Sequence, residues 1–175
     1  MPLTPAALRG IVADLAERPE EWIGKVRLAA EDRWYERLSL TEEHEVWLIS
    51  WLPGHATGFH DHGGSRGAFA VALGELEELS LGSELGANDE NDEPGGPGGP
   101  GRPRHHDDHG QLRSRRLTAG TTRAFGPQFL HDVRNTGTGP AVSLHAYSPP
   151  LSEIARFELR AGGLRPTVVE GADQW

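Results

Sequence analysis

The chain is 175 residues long, carries a formal net charge of −9 and contains no cysteine. That length suits a single domain with a real core. The acidic balance argues against a nucleic-acid or anionic-membrane surface, which needs a basic stripe, and the missing thiols exclude disulfides, zinc ribbons and cysteine nucleophiles. No window approaches the roughly 18 apolar residues of a membrane span. The N-terminal stretch lacks the basic-then-apolar order of a leader. The expectation is a cytoplasmic protein with no nucleic-acid or membrane partner; the sequence is silent on oligomeric state and compatible with a monomer.

Thr4 followed by Pro5 is a helix-start signal, and Leu8, Ile11, Val12 and Leu15 then recur at helical spacing. This predicts a short amphipathic helix over roughly residues 5–17, with Pro19-Glu20-Glu21-Trp22 opening a second turn or helix. Residues 1–32 are therefore expected to be a helical segment packed on the outside of a β domain spanning 33–175.

From Trp34 the pattern becomes strand-like. Trp34–Leu40 and Glu45–Leu52 read as a hairpin around Thr41-Glu42-Glu43-His44. Phe59–His62 and Ala68–Leu73 flank the glycine-rich Gly63-Gly64-Ser65-Arg66-Gly67, and Leu76–Leu81 follows. Later runs fall at Arg115–Leu117, Thr121–Phe125, Phe129–Arg134 and Ala141–Tyr147, with a last hairpin at Arg156–Arg160 and Pro166–Val169. Many short strands with glycine and proline turns indicate a sandwich or barrel. Between them, residues 82–111 hold an acidic run and a Pro-Gly tract with little apolar surface, and are expected to be a mobile loop. His105, His106, Asp107, Asp108 and His109 sit there; the cluster can scavenge metal but has no scaffold to hold a geometry.

The chemistry concentrates at Gly54-His55-Ala56-Thr57-Gly58-Phe59-His60-Asp61-His62 and at Phe129-Leu130-His131-Asp132-Val133-Arg134-Asn135. In a strand, residues two apart share a face, so His60 and His62 can point together while Asp61 points away. His131 from another strand would complete a three-imidazole face on one metal ion. Imidazole suits Fe, Zn, Cu and Ni, and three neutral ligands leave open positions, as in a reactive centre rather than a closed structural one. The competing reading is three unrelated core or surface histidines.

The spacing extends beyond the histidines. Gly54, His60, His62, Gly67 and Gly74 follow the layout of the first cupin motif, with Gly67 replacing the usual glutamate ligand. Gly120, Gly126, Gln128, His131 and Asn135 follow the second. The resemblance implies a mostly β, cupin-type (jelly-roll-like) barrel with short N-terminal helices. Within it, Trp51-Leu52-Pro53-Gly54, His60-Asp61-His62-Gly63, His131-Asp132-Val133-Arg134-Asn135 and Val142-Ser143-Leu144-His145-Ala146-Tyr147-Ser148-Pro149-Pro150 resemble the cysteine dioxygenase family, with Tyr35-Glu36-Arg37 at a matching position. The similarity spans roughly residues 30–150, and the Ser-Leu-His-x-Tyr-Ser-Pro-Pro run is its most specific part.

That resemblance implies a mononuclear Fe(II) enzyme whose partners are L-cysteine and O2 and whose product is cysteine sulfinate, with His60, His62 and His131 as metal ligands. It implies that Arg37 reads the substrate carboxylate beside Tyr35; by spacing alone Arg37 reads as a surface arginine in a salt bridge. Tyr147, His145 and Ser143 share one face of a strand, so His145 can hold the Tyr147 hydroxyl and Ser143 can hold His145. A tyrosine with a satisfied hydroxyl in a barrel core is the bland alternative. Mammalian members of the family carry a cysteine, thioether-linked to the tyrosine, where this chain has Gly67, and a histidine where it has Arg66. The bacterial branch positions its tyrosine without that crosslink. Competing functions are dioxygenation of another small thiol such as 3-mercaptopropionate, whose enzymes typically place a glutamine at the Arg37 position, a zinc hydrolase or isomerase, and a non-catalytic metal-binding cupin.

Overall fold

A computed structural model of the chain describes residues 1–82, 111–161 and 163–171. The expected mobile loop at 82–111 and its histidine cluster lie outside these residues, apart from Gly82 and Gln111, which pair across its base. Thr4 caps α1 (Pro5–Ala16), its hydroxyl accepting from the Ala7 backbone N–H at 3.2 Å. Two single 3-10 turns follow at Pro19–Glu21 and Ile23–Lys25.

The remainder is antiparallel β. One sheet contains β1 (Trp34–Leu40), β2 (Glu45–Trp51), β4 (Arg66–Leu73), β7 (Thr122–Phe125) and β9 (Ala141–Ser148), in the order β1-β2-β9-β4-β7. The other contains β3 (Phe59–His60), β5 (Glu75–Gly82), β6 (Gln111–Thr118), β8 (His131–Arg134), β10 (Glu153–Arg160) and β11 (Gly163–Gly171), in the order β11-β10-β3-β8-β5-β6. The fold class is the mostly β, cupin-type double sheet that the motif spacing implied. One strand is markedly longer than its apolar run suggests. β6 begins at Gln111 rather than Arg115 because it pairs with β5 along its whole length.

The central strands of the first sheet are covered on both faces, which explains the near-continuous burial of β2 and β9. Ile49, Trp51, Phe69, Val71 and Tyr147 face the interior between the sheets, with Leu76, Leu117, Val133 and Ile154 opposite them. On the outer face, Val46, Leu48, Ala68, Ala70, Leu144 and Ala146 receive Leu8, Val12 and Leu15 of α1 together with Trp22. The small residues of β4 and β9 let the helix approach closely. Trp22 is fully buried, its indole donating to the Leu15 carbonyl at 3.0 Å. The helical segment is thus the cover of the first sheet. Among the described residues no helix is long and apolar enough to cross a membrane.

Leu8 has no exposed surface. Leu8→Ala is expected to cost about 2–5 kcal/mol in equilibrium unfolding, the usual penalty for an emptied core site. An unchanged denaturation midpoint would show that α1 is dispensable to the barrel.

Candidate metal centre

His60 on β3 and His131 on β8 are direct cross-strand partners, so both imidazoles leave the second sheet on its inner face. His62 reaches the same point by another route. β3 ends at His60, and His62 lies in the following turn, so the shared-face argument for a single strand does not place it. Asp61 does, by pinning that turn to β10: its carboxylate accepts from the Ala155 N–H at 2.9 Å, and its own N–H donates to the Ala155 carbonyl at 3.0 Å. Gly63 then turns with φ +56°, and a Cβ there would lie 2.5 Å from the Glu153 carbonyl, so the turn can only seat with glycine.

The result is one ligating atom from each of His60, His62 and His131, all within 4.8 Å of one another and buried. Their chemistry fits a metal ion. His60 Nδ1 lies 3.0 Å from the Gly58 carbonyl, which can only accept, so Nδ1 carries the proton and Nε2 keeps its lone pair. His131 Nδ1 lies 2.9 Å from Glu78 Oε1. Neither ring nitrogen of His62 has a hydrogen bond of normal geometry, although the Phe129 backbone lies near enough to favour a ring proton. A buried imidazole with two orphan nitrogens is costly unless something else satisfies it, and a metal ion would.

Burial keeps these rings neutral. Desolvation holds His60 down to about 4 and His145 to about 3, and holds His62 and His131 well below the usual histidine value. Neutral imidazole is the form that binds metal.

On the opposite sheet, β9 presents Ser143, His145 and Tyr147 in a hydrogen-bonded row. Trp51 Nε1, which can only donate, reaches Ser143 Oγ at 2.9 Å. Ser143 Oγ then meets His145 Nε2 at 2.8 Å, and His145 Nδ1 meets the Tyr147 hydroxyl at 3.2 Å. His145 thereby bridges two hydroxyls, donating from one ring nitrogen and accepting on the other. Desolvation pushes the phenol's pKa above the ordinary value and keeps it protonated.

A cavity of about 30 Å³ lies between these groups, lined by Arg33, Tyr35, Thr57, His60, His131, Tyr147 and Arg156 among others. Arg37 does not line it. Arg37 follows Tyr35 by two residues on β1 and pairs further along the ladder, opposite Trp47 where Tyr35 is opposite Ile49. Its side chain is 47% exposed and lies 3.7 Å from Glu45 Oε2. The cations that reach the cavity are ones the sequence reading passed over. The Arg33 side chain is 8% exposed and stacks over Tyr35 and Trp51, while Arg156 bonds Glu170 and the Thr57 carbonyl at 2.8 and 2.9 Å. Arg33 stands two residues before Tyr35, where period-two alternation could have found it. Nothing in the sequence singles out Arg156.

Gly67 faces Tyr147 across β4 and β9. A Cβ at that position would fall 2.4 Å from the Phe125 ring and 3.1 Å from Tyr147, so Phe125 fills the volume that a fourth ligand or a crosslinking cysteine would use. His55 is accounted for locally, its Nδ1 accepting from the Leu52 N–H at 3.0 Å.

Two sheets enclosing three convergent histidines define a metal-binding cupin. The family model for cysteine dioxygenase type I matches residues 7–160, and the chain belongs to that family. Together, family and histidine cluster support a metal-dependent thiol dioxygenase. Solved structures with the same fold include the TT1209 protein from Thermus thermophilus, with 21% identity, TM-score 0.50 and coverage of 71% of this chain and 90% of that one. Another is an uncharacterized conserved protein with a double-stranded β-helix domain from Klebsiella pneumoniae, at 17% identity, TM-score 0.50, and 73% and 85% coverage. No curated protein matches the chain significantly.

The depressed histidine values set a pH dependence. In metal-free protein the unfolded chain takes up protons on these histidines near pH 6.5, whereas folded His60 does so only near 4. Between those values the unfolded state binds more protons, so stability is complete above that window and falls as pH drops through it. Denaturant titrations of metal-free protein should lose more than about 1 kcal/mol per pH unit below pH 6. A flat profile from pH 7 to 5 would mean the rings are not desolvated as a group.

Proposed function

We propose that the protein is a cysteine dioxygenase that holds Fe(II) on His60, His62 and His131 and adds both oxygen atoms of O2 to a thiol, R–SH + O2 → R–SO2H, with L-cysteine as substrate. The observation that carries this reading is the pairing of a neutral three-histidine cluster with a cavity holding two arginines and a buried, protonated phenol. Bound there, Fe(II) would supply the Lewis acidity and one-electron chemistry that O2 requires, and would favour the thiolate form of the substrate.

The chain's own residues do the rest. Arg33 and Arg156 bind the substrate carboxylate, a planar donor fork matching a planar acceptor, and so fix the sulfur end toward the histidines. This role passes to them from Arg37, which lies outside the cavity. Tyr147 donates its proton toward the substrate or oxygen, held in place by His145, Ser143 and Trp51, and Tyr35 lines the cavity beside it. Ile49, Val133 and Ile154 keep the walls apolar and limit water.

A second reading is favoured by one feature: among the described residues none that lines the cavity is acidic, so none of them pairs with the substrate ammonium. A thiol carboxylate without the amine, 3-mercaptopropionate, would satisfy the same arginines. Oxygen uptake and sulfinate yield on Fe(II)-loaded protein should be higher with L-cysteine than with 3-mercaptopropionate. The reverse order would move the substrate assignment to the second reading, and metal binding with no sulfinate from either would favour a binding protein.

Arg156→Gln should raise KM for L-cysteine by roughly tenfold or more with kcat changed less, the pattern of a lost ground-state contact. Arg37→Gln should change KM less than about twofold. Equal effects from the two variants would return the carboxylate role to β1's outer arginine.

A further inference from the structure

The three histidines are not held alike. His60 is oriented by a neutral backbone carbonyl, and His62 chiefly by packing, whereas His131 meets a carboxylate. Glu78 is 2% exposed in the second sheet, and its two oxygens have separate tasks. Oε1 lies 2.9 Å from His131 Nδ1, and Oε2 accepts from Arg123 Nε at 2.9 Å. Arg123 comes from β7 in the other sheet and is itself nearly buried. The row Arg123–Glu78–His131 therefore crosses the interior and ends on a ligating ring.

A buried ion pair is poor value for stability alone, since desolvation offsets most of the attraction. A carboxylate behind a metal-ligating imidazole has a specific use, fixing the tautomer, locking the ring plane and making the ligating nitrogen more basic. This ligand set has no carboxylate of its own, because Gly67 stands where cupins usually supply one. Glu78 lies one atom shell further out and delivers anionic character through His131 instead.

We propose that Glu78, anchored by Arg123, is the positioning residue of the metal centre: it fixes His131 as the Nδ1–H tautomer and sets the affinity of the site for a divalent cation. This rests on the metal reading of the three histidines and on nothing about the substrate.

The test uses the full chain stripped of metal. Long-range 1H–15N correlation on the wild-type apoprotein should show His131 protonated at Nδ1 and bare at Nε2; the opposite tautomer overturns the proposal without any variant. Competition with a chromogenic chelator for Fe(II) under anaerobic conditions, and for Zn(II), should show Glu78→Gln binding about 10–100-fold more weakly than wild type. Because that change removes the carboxylate charge that Arg123 bonds, Glu78→Gln/Arg123→Met is measured beside it. The double variant should melt close to the wild-type apoprotein yet keep the affinity loss, a separation that a purely structural ion pair would not give. Affinity within threefold of wild type in the double variant sinks the proposal while leaving the three-histidine site standing. A wild-type chain that binds neither ion overturns the metal reading, and the proposal with it.

Discussion

Everything at the centre of this protein follows from burying four imidazoles between two sheets. Desolvation expels their charge, and each ring nitrogen must then find a partner inside the protein. The hydrogen bonds around the centre read as answers to that demand. Gly58 takes the outer proton of His60, Glu78 that of His131, and Ser143 and Tyr147 take the two sides of His145. At His60 and His131 the donor sense is fixed by a carbonyl and a carboxylate that accept, so the lone pairs left over at their Nε2 atoms belong to the site.

The scaffold makes those directions reproducible. His60 and His131 are opposed by strand register, which holds their relative placement with the precision of a ladder rather than of a loop. His62 lacks that support, and Asp61 and Gly63 supply it by tying the turn to β10. The facing sheet is stiffened from behind by α1, so the row from Trp51 to Tyr147 stands on a strand with both faces packed. Even the Ser148 hydroxyl of the Ser-Pro-Pro run is structural, bonding the Leu3 N–H and the Glu43 carbonyl at 2.8 and 2.6 Å and so joining helix, hairpin and β9.

Strand alternation, glycine spacing and the helix cap were legible in the sequence, because they are local and periodic. The double motif placed His60, His62 and His131 together, and period-two spacing put Ser143, His145 and Tyr147 on one face. What escaped depends on contacts between distant segments. Glu78 sits in Glu75-Leu76-Glu77-Glu78-Leu79, where nothing sets it apart from the neighbouring carboxylates; only its pairing with β8 and the arrival of Arg123 give it a role. The position of Arg37 at the rim escaped for the converse reason. Sharing a face with Tyr35 fixes the direction of its side chain but not its distance along β1, and one step along the ladder carries it to the rim beside Glu45. Arg156 lies nearly a hundred residues from the Thr57 carbonyl it bonds, a proximity that no spacing rule reports.

The glycine at position 67 shows how the centre manages without either a glutamate ligand or a crosslinked tyrosine. An empty position would be a void, and interiors do not tolerate voids cheaply. Phe125 closes it from β7, and in closing it comes to lie 4.6 Å from the His62 ring, at 31° to it. Tyr147 packs on the same imidazole at 5.3 Å and 28°. The ligand with no well-formed hydrogen bond is therefore the one held by aromatic contact, and the tyrosine with no covalent tether is held by His145 on one side and by packing against His62 on the other. The missing side chain at position 67 and the aromatic ring at 125 are two halves of one packing arrangement. It keeps the ligand set neutral by filling the space an acidic side chain would need.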